Sequence, residues 1–385
     1  MSYDFHTAYQ RPGIGCEKYD KRQAIFGTES VIPLWVADME FASPDSIQQA
    51  LIERAKLPSY GYAERMAGWT EAVGQWLARQ HHWQIDPAWL LPTAGVVPSL
   101  ALAIQTLSQP GDGVIIQPPV YFPFFGLVRE TQRQLLLNPL REVNGRYQMD
   151  LEQLEKLARQ ARVLILCNPH NPGGRAWSAA ELAEVARICA SHGVSVLSDE
   201  IHMDLSYPGI THTPFAQVAE DCSYLMLSAA GKTFNTAGIG GGYAVIPDAV
   251  LRQDLQRLQN TLHLNGENIF SLLVTETAYR HGHDWPTALM TQIAANRDRV
   301  YAACQHSAIT PMPPEATYLL WLDCRALGMD DQALEQFFIH RAGLGLSAGH
   351  IFGEQGSGYM RINLASTPAI IEQAMQQLEA ALAGL

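Results

Sequence analysis

The sequence predicts an α/β protein, in which a large domain with a mostly parallel sheet flanked by helices is joined to a smaller α+β domain. The middle of the chain repeats one unit: an apolar strand, a polar loop and an amphipathic helix. The chain also has 385 residues, and single cores stop growing beyond ~250–300 residues. We therefore predict that residues 46–284 form the large domain, and that 1–45 and 285–385 form the small one.

The predicted large domain contains four strands, each a short apolar run bounded by polar residues, glycine or proline. Asp150 is predicted to cap one helix, and Ser178 with Glu181 forms a capping box for the next, which ends at Gly193. The predicted elements are helices over 46–55 and 68–81 and from Ser99, and strands over 114–117, 163–167, 194–198 and 223–228.

The predicted small domain lies at the two ends of the chain. Residues 1–45 are expected to be irregular, with one apolar segment at 34–39. The C-terminal part should hold a long helix from 284 through 297, strands at 318–322 and 359–364, a short helix at 331–341, and a closing helix started by Thr367 and Pro368.

Composition and charge exclude several classes of protein. The 26 basic and 38 acidic residues give a net charge of −12, which argues against a nucleic-acid partner. No stretch approaches 18 uninterrupted apolar residues, and residues 1–10 carry no apolar signal region, so we expect neither a membrane span nor export. The six cysteines are scattered without close pairs, which is typical of buried thiols in a reducing compartment. The predicted location is the cytoplasm.

Four side chains that could take part in catalysis or ligand binding follow predicted strands. Tyr121, Asn171, Asp199 and Lys232 each come just after an apolar run. In parallel sheets with helices on both faces, ligands bind outside the carboxyl ends of the strands. We therefore expect these four side chains to meet at one edge of the sheet, although each alone could be a core residue, a turn residue or a surface charge.

These residue types together suit an aromatic cofactor with an electrophilic carbon. Buried Lys232 could form a Schiff base with an aldehyde, because burial lowers the pKa of an amine. Asp199 could keep a ring nitrogen protonated, which is how pyridoxal phosphate withdraws electrons from a carbanion. Asn171 could donate to a phenolate oxygen, and Tyr121 could lie flat on the ring.

Three further features could complete such a site. His202, three residues after Asp199, could reach the same phenolate oxygen or be an ordinary core histidine. Gly95, Val96 and Val97 open a helix and could offer backbone N–H groups to a phosphate, or form a plain turn. Arg361 lies in an apolar strand, where it either makes a structural ion pair or binds a substrate carboxylate.

The order of these motifs resembles that of fold-type I pyridoxal-phosphate enzymes of the aminotransferase class I/II superfamily. Within it, the chain is similar to the MalY/PatB branch of cystathionine β-lyase-like carbon–sulfur lyases. The segments that carry the resemblance are 35–41 (WVADMEF), 95–97 (GVV), 117–121 (QPPVY), 167–172 (CNPHNP), 198–202 (SDEIH), 232–235 (KTFN) and Arg361.

The resemblance implies a function and a role for each site residue. Lys232 and Tyr121 would be catalytic, and pyridoxal 5′-phosphate would be held by Lys232 and the residues that line its ring and phosphate. Those cofactor residues would be Gly95, Val96, Val97, Tyr121, Asn171, Asp199, His202 and Tyr62, the last reaching the partner's phosphate in a homodimer. Arg361, Trp35 and Asp38 would bind the substrate. That substrate would be an L-cysteine conjugate such as L-cystathionine, cleaved by α,β-elimination to thiol, pyruvate and ammonia.

Two positions depart from the family pattern. Ala229 stands three residues before Lys232, where many relatives carry a hydroxyl group, and Gly240 stands eight after it, where many carry an arginine. Both family residues help to hold the phosphate. Ser228 could supply the missing hydroxyl group if the turn before Lys232 is shifted.

Other functions remain open on the sequence alone. An aminotransferase would use the same residues and differ only in where one proton goes. A regulatory protein that binds a transcription factor is a further alternative known in this branch. Residues 345–349 (GLSAG) match the serine-hydrolase elbow, but the required order of acid and histidine after Ser347 is absent. Residues 281–284 (HGHD) are expected to be an exposed helix end, so no metal is predicted.

Overall fold

The computed structural model describes residues 3–265 and 268–385. Its centre is a seven-stranded sheet with the strand order β2-β10-β9-β8-β7-β3-β4. The strands of this sheet are β2 (Leu90–Thr93), β3 (Gly113–Ile116), β4 (Gln134–Leu137), β7 (Ala161–Cys167), β8 (Ser195–Asp199), β9 (Tyr224–Ser228) and β10 (Gly242–Val245).

The large sheet is mostly parallel, as predicted. The pairs β3–β4, β3–β7, β7–β8 and β8–β9 are parallel, and only β10 runs against its two neighbours, β9 and β2. The sequence did not reveal β2, because Pro92 interrupts its apolar run. Proline cannot donate a ladder hydrogen bond, and it is tolerated here because β2 lies at the edge of the sheet.

Fourteen α-helices are found in the described part of the chain. They are α1 (Glu17–Asp20), α2 (Arg22–Phe26), α3 (Asp45–Lys56), α4 (Ala67–His81), α5 (Val96–Leu107), α6 (Pro123–Glu130), α7 (Leu151–Ala158), α8 (Ala179–His192), α9 (Ala230–Thr233), α10 (Ala249–Thr261), α11 (Ile269–His281), α12 (Trp285–Cys304), α13 (Asp331–Gln336) and α14 (Pro368–Ala383). The N-terminal segment, expected to be irregular, therefore contains α1 and α2.

Two helix caps are formed as predicted, whereas the helix predicted from Ser99 begins at Val96. Asp150 Oδ1 accepts the N–H of Gln153 at 3.0 Å, at the start of α7. Ser178 and Glu181 form the reciprocal capping box of α8, which ends at Gly193 with a left-handed conformation. These caps are local, so three or four residues of sequence suffice to predict them.

A second, smaller sheet lies in the C-terminal part. It has the order β11-β12-β15-β14, with β11 (Thr310–Pro311), β12 (Leu319–Asp323), β14 (Ser347–Ala348) and β15 (Tyr359–Asn363). The remaining strands are β1 (Ile32–Pro33) paired with β13 (Leu344–Gly345), and the hairpin of β5 (Arg141–Val143) and β6 (Arg146–Gln148). The pairing of β1 with β13 joins the N-terminal segment to the C-terminal part, while the division into two domains stays a prediction.

Two sequence motifs have structural roles. Ser347 begins β14 and donates through its hydroxyl to Trp35 O at 3.1 Å, so it is part of a sheet and not of a strand-to-helix elbow. Residues 281–284 lie where α11 ends and α12 begins. Within 3–265 and 268–385, no group of side chains is arranged to hold a metal ion. In the same ranges, no helix has the length and apolar character needed to cross a membrane.

Candidate active site

A cavity of about 1220 Å³ opens beside the carboxyl ends of the parallel strands. Most of the predicted site residues line it together, although they come from distant parts of the chain. These residues are Trp35, Asp38, Val96, Val97, Tyr121, Asn171, Asp199, His202, Lys232 and Arg361. Gly95 lies one residue from the lining, and Tyr62 is outside the cavity of its own chain.

Lys232 lies on the short helix α9, directly after β9. Its Nζ atom donates to Ala37 O at 2.7 Å, and Tyr318 OH donates to the same carbonyl at 3.0 Å. Burial lowers the pKa of Lys232 to about 8, although the nearby carboxylate of Asp38 works in the opposite direction. A larger fraction of this amine is therefore neutral near neutral pH than for an exposed lysine.

Asp199 ends β8 and is buried without a cationic partner in contact. Among the described residues, its carboxylate accepts one hydrogen bond, from the N–H of Ile201 at 3.2 Å. Burial raises the pKa of Asp199 to about 7, against 3.8 for an ordinary aspartate. Such a carboxylate would be stabilised by a cationic or N–H donor placed in the cavity.

His202 follows Asp199 in the turn after β8, and its side chain is buried. Its Nδ1 atom has no hydrogen-bond partner within the part of the chain that the structure describes. Burial, together with the charges of Lys232 and Arg361, lowers the pKa of His202 to about 3. The imidazole is therefore neutral at physiological pH and can offer one nitrogen to a ligand.

Tyr121 follows β3 and Asn171 follows β7, and both line the same cavity as Lys232. Burial and the charge of Asp199 raise the pKa of Tyr121, so its hydroxyl is protonated. Asn171 Oδ1 accepts a hydrogen bond from Arg361 Nη1 at 3.0 Å. That contact orients the amide and leaves its nitrogen as the donor that Asn171 can offer to the cavity.

Arg361 lies in the middle of β15, and its side chain is buried. It donates to Asn171, to Trp35 O at 2.8 Å and to Ser347 Oγ at 3.2 Å, but no described residue accepts from its Nε atom. Burial lowers its pKa to about 10. No carboxylate of the described chain pairs with this guanidinium, so of the two sequence-based readings the structure favours a site for a ligand carboxylate.

The start of α5 faces the same cavity. Gly95, with φ of 145°, precedes Val96 and Val97, whose N–H groups belong to the first turn of the helix and have no intrahelical acceptor. A helix N-terminus of this length attracts anions. Ser228, the substitute considered for Ala229, donates its hydroxyl to Glu200 O at 3.1 Å and does not line the cavity. Thr236, which the sequence did not suggest, does line it.

Trp35 and Asp38 line the cavity, but Asp38 is already paired. It forms ion pairs with Arg11 and, at 2.6 Å, with Lys18, while Glu40 also contacts both cations. These pairs lower the pKa of Asp38 despite its burial. We name Arg11, Lys18, Asp38 and Glu40 the N-terminal ion cluster. Because the carboxylate of Asp38 is paired within this cluster, the structure does not show it free to bind a substrate. The substrate role of Asp38 stays a prediction.

Sequence reasoning missed several residues that hold the lysine helix in place. Thr233 Oγ1 donates to Asp204 Oδ2 at 2.7 Å, and Asp204 Oδ1 also accepts from Trp76 Nε1 at 3.0 Å and bonds His81 Nε2 at 2.7 Å. Asn235 bonds the backbone of Met39 and Phe41. Thr233 and Asn235 lie in the 232–235 segment of the family resemblance, and Asp204 lies two residues after His202, but the sequence did not predict a positioning role for any of them.

The cavity fits a phosphorylated pyridine aldehyde by three observations. A buried lysine amine with a lowered pKa is available for an aldehyde. The buried carboxylate of Asp199 lacks the cation that a protonated ring nitrogen would provide. The orphaned Nδ1 of His202 and the N–H groups at the start of α5 provide polar partners for the ring oxygen and the phosphate.

A model of the family described as aminotransferase class I and II matches residues 29–378. The chain belongs to this family. The family and fold-type predicted from the motifs are thereby confirmed.

Particular relatives are similar over the whole chain. Cystathionine beta-lyase PatB of Bacillus subtilis (strain 168) is 37% identical over 385 residues, covering 98% of this chain and 100% of that protein. Protein MalY of Escherichia coli (strain K12) is 31% identical and covers 98% of both chains. The crystal structure of cystalysin from Treponema denticola, which contains a pyridoxal 5′-phosphate cofactor, has a TM-score of 0.95 at 34% identity and covers 100% of both chains.

Proposed function

We propose that this protein is a pyridoxal-phosphate-dependent carbon–sulfur β-lyase that cleaves L-cystathionine or other L-cysteine S-conjugates to thiol, pyruvate and ammonia. The observation that carries the proposal is the buried Lys232 amine, with its pKa lowered to about 8, in one cavity with Asp199 and Arg361. The names of the relatives, cystathionine beta-lyase and cystalysin, support the lyase reaction over other reactions of the family.

The residues that would hold the cofactor line the cavity or lie next to its lining, and among them His202 Nδ1 has no hydrogen-bond partner in the described chain. Asp199 would face the ring nitrogen, Asn171 and His202 the ring oxygen, and Tyr121 the ring face. Gly95, Val96 and Val97, with Thr236, would hold the phosphate in the absence of a hydroxyl at Ala229 and an arginine at Gly240. When bound, the cofactor supplies an aldehyde that reacts with amines and a ring that withdraws electrons from the adjacent carbon.

The chain itself supplies binding and proton transfer. Arg361 binds the α-carboxylate of the amino acid, because it is a buried, preoriented guanidinium with an unpartnered Nε. Lys232 Nζ takes the proton from Cα of the substrate, which its lowered pKa permits near neutral pH. The Cβ–S bond then breaks, and the sulfur leaves with the electron pair as a thiolate.

Two features support a homodimer with Tyr62 as a residue of the partner's site. Tyr62 is fully exposed and contacts nothing in its own cavity. The residues around it, including Tyr60 and Met66, are also large, apolar and exposed. Exposed apolar surface of this kind marks an interface. The predicted cytoplasmic location and the regulatory partner stay predictions.

The test is thiol and pyruvate release from L-cystathionine by the purified protein supplied with pyridoxal 5′-phosphate. We expect both products in equal amounts, and we expect Lys232→Ala to reduce the rate at least about 10³-fold because it removes the proton acceptor. Lys156→Ala, which removes an exposed lysine of α7 paired with Glu152, is the matched control and should keep full activity.

The same assay separates the lyase from the aminotransferase. An oxo acid is added, and its conversion to an amino acid is measured beside thiol release. Transfer of the amino group without thiol release would replace the proposal with the aminotransferase alternative. Undiminished thiol release by Lys232→Ala would contradict the role of that residue.

A further inference from the structure

The proposed site has to hold both a cofactor and an amino-acid conjugate. Its volume of about 1220 Å³ exceeds the ~300–1,000 Å³ that usually holds a drug-sized ligand. If Arg361 and Lys232 hold the amino-acid part of the substrate and the residues named above hold the cofactor, the rest of the wall faces the group attached to the sulfur. The chemistry of that wall therefore bears on which conjugates the enzyme accepts.

Much of the remaining wall is apolar. Large apolar side chains contribute to it from the N-terminal segment, from the start of α6 and from a short 3-10 helix after β14. They are Ile14, Ile25, Phe26, Trp35, Phe122 and Ile351. The rings of Phe26 and Trp35 meet edge to face at 5.8 Å, and Trp35 O accepts from Arg361 Nη2. An apolar pair thus lies directly beside the predicted carboxylate clamp.

Each cation of the described wall either pairs with protein carboxylates or is assigned to the amino-acid part of the substrate. In the described part of the chain, the lysines and arginines that line the cavity are Arg11, Lys232 and Arg361. Arg11 pairs with Asp38 and Glu40, and the N-terminal ion cluster as a whole holds two cations and two carboxylates. Its net charge is therefore zero, and Arg11 has no excess charge to offer a ligand.

Acidic side chains also line the wall, together with uncharged polar ones such as Gln10 and Gln48. Glu17, Asp45 and Glu335 line the cavity in addition to the carboxylates of the cluster. Glu17 pairs with exposed Lys21, and Glu335 lies 3.6 Å from His350. A second carboxylate on the substrate would meet these acids without a free cation, and removing it from water would not be compensated.

We propose that the cavity selects L-cysteine conjugates whose S-substituent is apolar and discriminates against conjugates whose S-substituent ends in a carboxylate. This inference rests on the proposed lyase function. It names the apolar conjugates as the preferred substrate class, and L-cystathionine, whose S-substituent bears its own amino and carboxylate groups, as a poorer substrate. The Phe26–Trp35 pair and Ile25 are the residues that set this preference.

The test compares two conjugates that differ in one group. S-butyl-L-cysteine and S-(3-carboxypropyl)-L-cysteine release alkyl thiolates of similar basicity, so the bond that breaks is nearly the same. We expect kcat/KM for thiol release to be at least about tenfold higher for the butyl conjugate, mainly through a lower KM. Equal values, or a preference for the carboxypropyl conjugate, would overturn the inference while leaving the lyase function standing.

A positive charge added to the apolar wall should weaken the preference. Ile25 is 52% exposed on α2, so Ile25→Lys should fold, and it should shift the ratio of the two kcat/KM values at least about fivefold toward the carboxypropyl conjugate. Val250→Lys is the matched control, since Val250 is 68% exposed on α10 and outside the cavity. An unchanged ratio in Ile25→Lys would contradict the role of this wall.

Binding gives a readout that does not depend on turnover. The Lys232→Ala protein loaded with pyridoxal 5′-phosphate should bind the butyl conjugate at least about tenfold more tightly than the carboxypropyl conjugate in calorimetry. Equal dissociation constants would count against the inference. If the wild-type protein released thiol from neither conjugate, the lyase function would be refuted, and so would the inference that rests on it.

Discussion

At the scale of single residues, opposing effects set the charge of the lysine amine. Burial lowers the pKa of Lys232, while the carboxylates of Asp38 and Asp199 raise it, and the balance lies at about 8. Asp38 can act in this way only because its own charge is kept by Lys18 and Arg11. The N-terminal ion cluster therefore contributes to the reactivity of Lys232 without contacting its Nζ atom.

The raised pKa of Asp199 predicts how the stability of the cofactor-free protein depends on pH. Its folded pKa of about 7 lies above the unfolded 3.8, so its contribution is fully present below 3.8 and is lost as pH rises through about 7. Asp199→Asn has no charge to desolvate. Near pH 4 we expect this variant and the wild type to unfold at the same urea concentration. Near pH 8 we expect the variant to be more stable than the wild type by about 2–4 kcal/mol.

Urea titrations of both cofactor-free proteins across this pH range measure the difference. Asp298→Asn, at an exposed position on α12, is the control, and its difference from the wild type should stay nearly constant with pH. A pH-independent difference for Asp199→Asn as well would show that burial does not perturb this carboxylate.

The site residues that follow strands could be predicted from sequence, and those that act through long-range pairing could not. Tyr121, Asn171 and Asp199 were found because a parallel sheet brings the ends of its strands together. The pairing of Asp38 with Lys18 depends on how the N-terminal segment turns back on itself, which no local pattern encodes. The ion pairs of Asp38 with Lys18 and Arg11 were therefore not predicted, while its substrate role, which the family resemblance implies, stays a prediction.

At the scale of elements, one buried carboxylate ties three segments together. Asp204, in the turn after β8, binds Trp76 and His81 of α4 and Thr233 of α9. Trp285 Nε1, at the start of α12, donates to Thr233 O at 2.7 Å. The helix that carries Lys232 is only four residues long, so these tertiary contacts determine its position more than its own hydrogen bonds do.

We expect Asp204→Asn to loosen this helix. An amide cannot accept from all three donors, and leaving a buried donor unsatisfied costs about 1–3 kcal/mol. The variant should lose that much stability in urea titration, and kcat should fall at least about tenfold while KM changes less, because Lys232 is misplaced and the substrate clamp is intact.

Asp254→Asn is the control, since Asp254 forms an exposed ion pair with Arg257 on α10. It should change stability by less than about 0.5 kcal/mol. The positioning role also requires that the pH at which the lysine titrates, followed by absorbance of the bound cofactor, shift in Asp204→Asn. Lost stability with an unshifted titration and unchanged kcat would make Asp204 a purely structural residue.

Element prediction succeeded for β3, β7, β8 and β9 and was incomplete at the sheet margin. The four strands are apolar on both faces because helices cover them, so each is a continuous apolar run. The edge strand β2 and its neighbour β10 contain proline and glycine, which are the residues that usually end strands, and the other edge strand, β4, was not predicted either. Their pairing is fixed by the sheet beside them and not by their own sequence.

At the scale of the whole molecule, an exposed apolar stretch follows α3. Leu57, Tyr60, Tyr62 and Met66 are all large, apolar and mostly exposed. We expect the wild type to sediment as the proposed dimer and the double variant Leu57→Glu/Met66→Glu as a monomer, because two charges would be buried in the proposed interface. Val250→Glu, an equally exposed apolar position on α10, should remain a dimer.

Cofactor binding provides the second measurement for this pair of variants. If Tyr62 reaches the partner's phosphate, the monomeric variant should also bind pyridoxal 5′-phosphate at least about tenfold more weakly, while Val250→Glu should bind as the wild type does. A dimer that survives both substitutions would place the interface elsewhere on the surface.

The carbonyl of Ala37, which accepts from Lys232, lies in a loop held by the far end of the chain. Asn363 Nδ2 donates to Val36 O and Asp38 O, both at 2.6 Å, and Arg361 donates to Trp35 O. During synthesis, this loop leaves the ribosome more than 300 residues before Asn363 and Arg361, so it lacks these hydrogen bonds until those two residues have been made. The lysine pocket can therefore be completed only once Asn363 has emerged, and a nascent chain that stops before this point would not yet hold its cofactor.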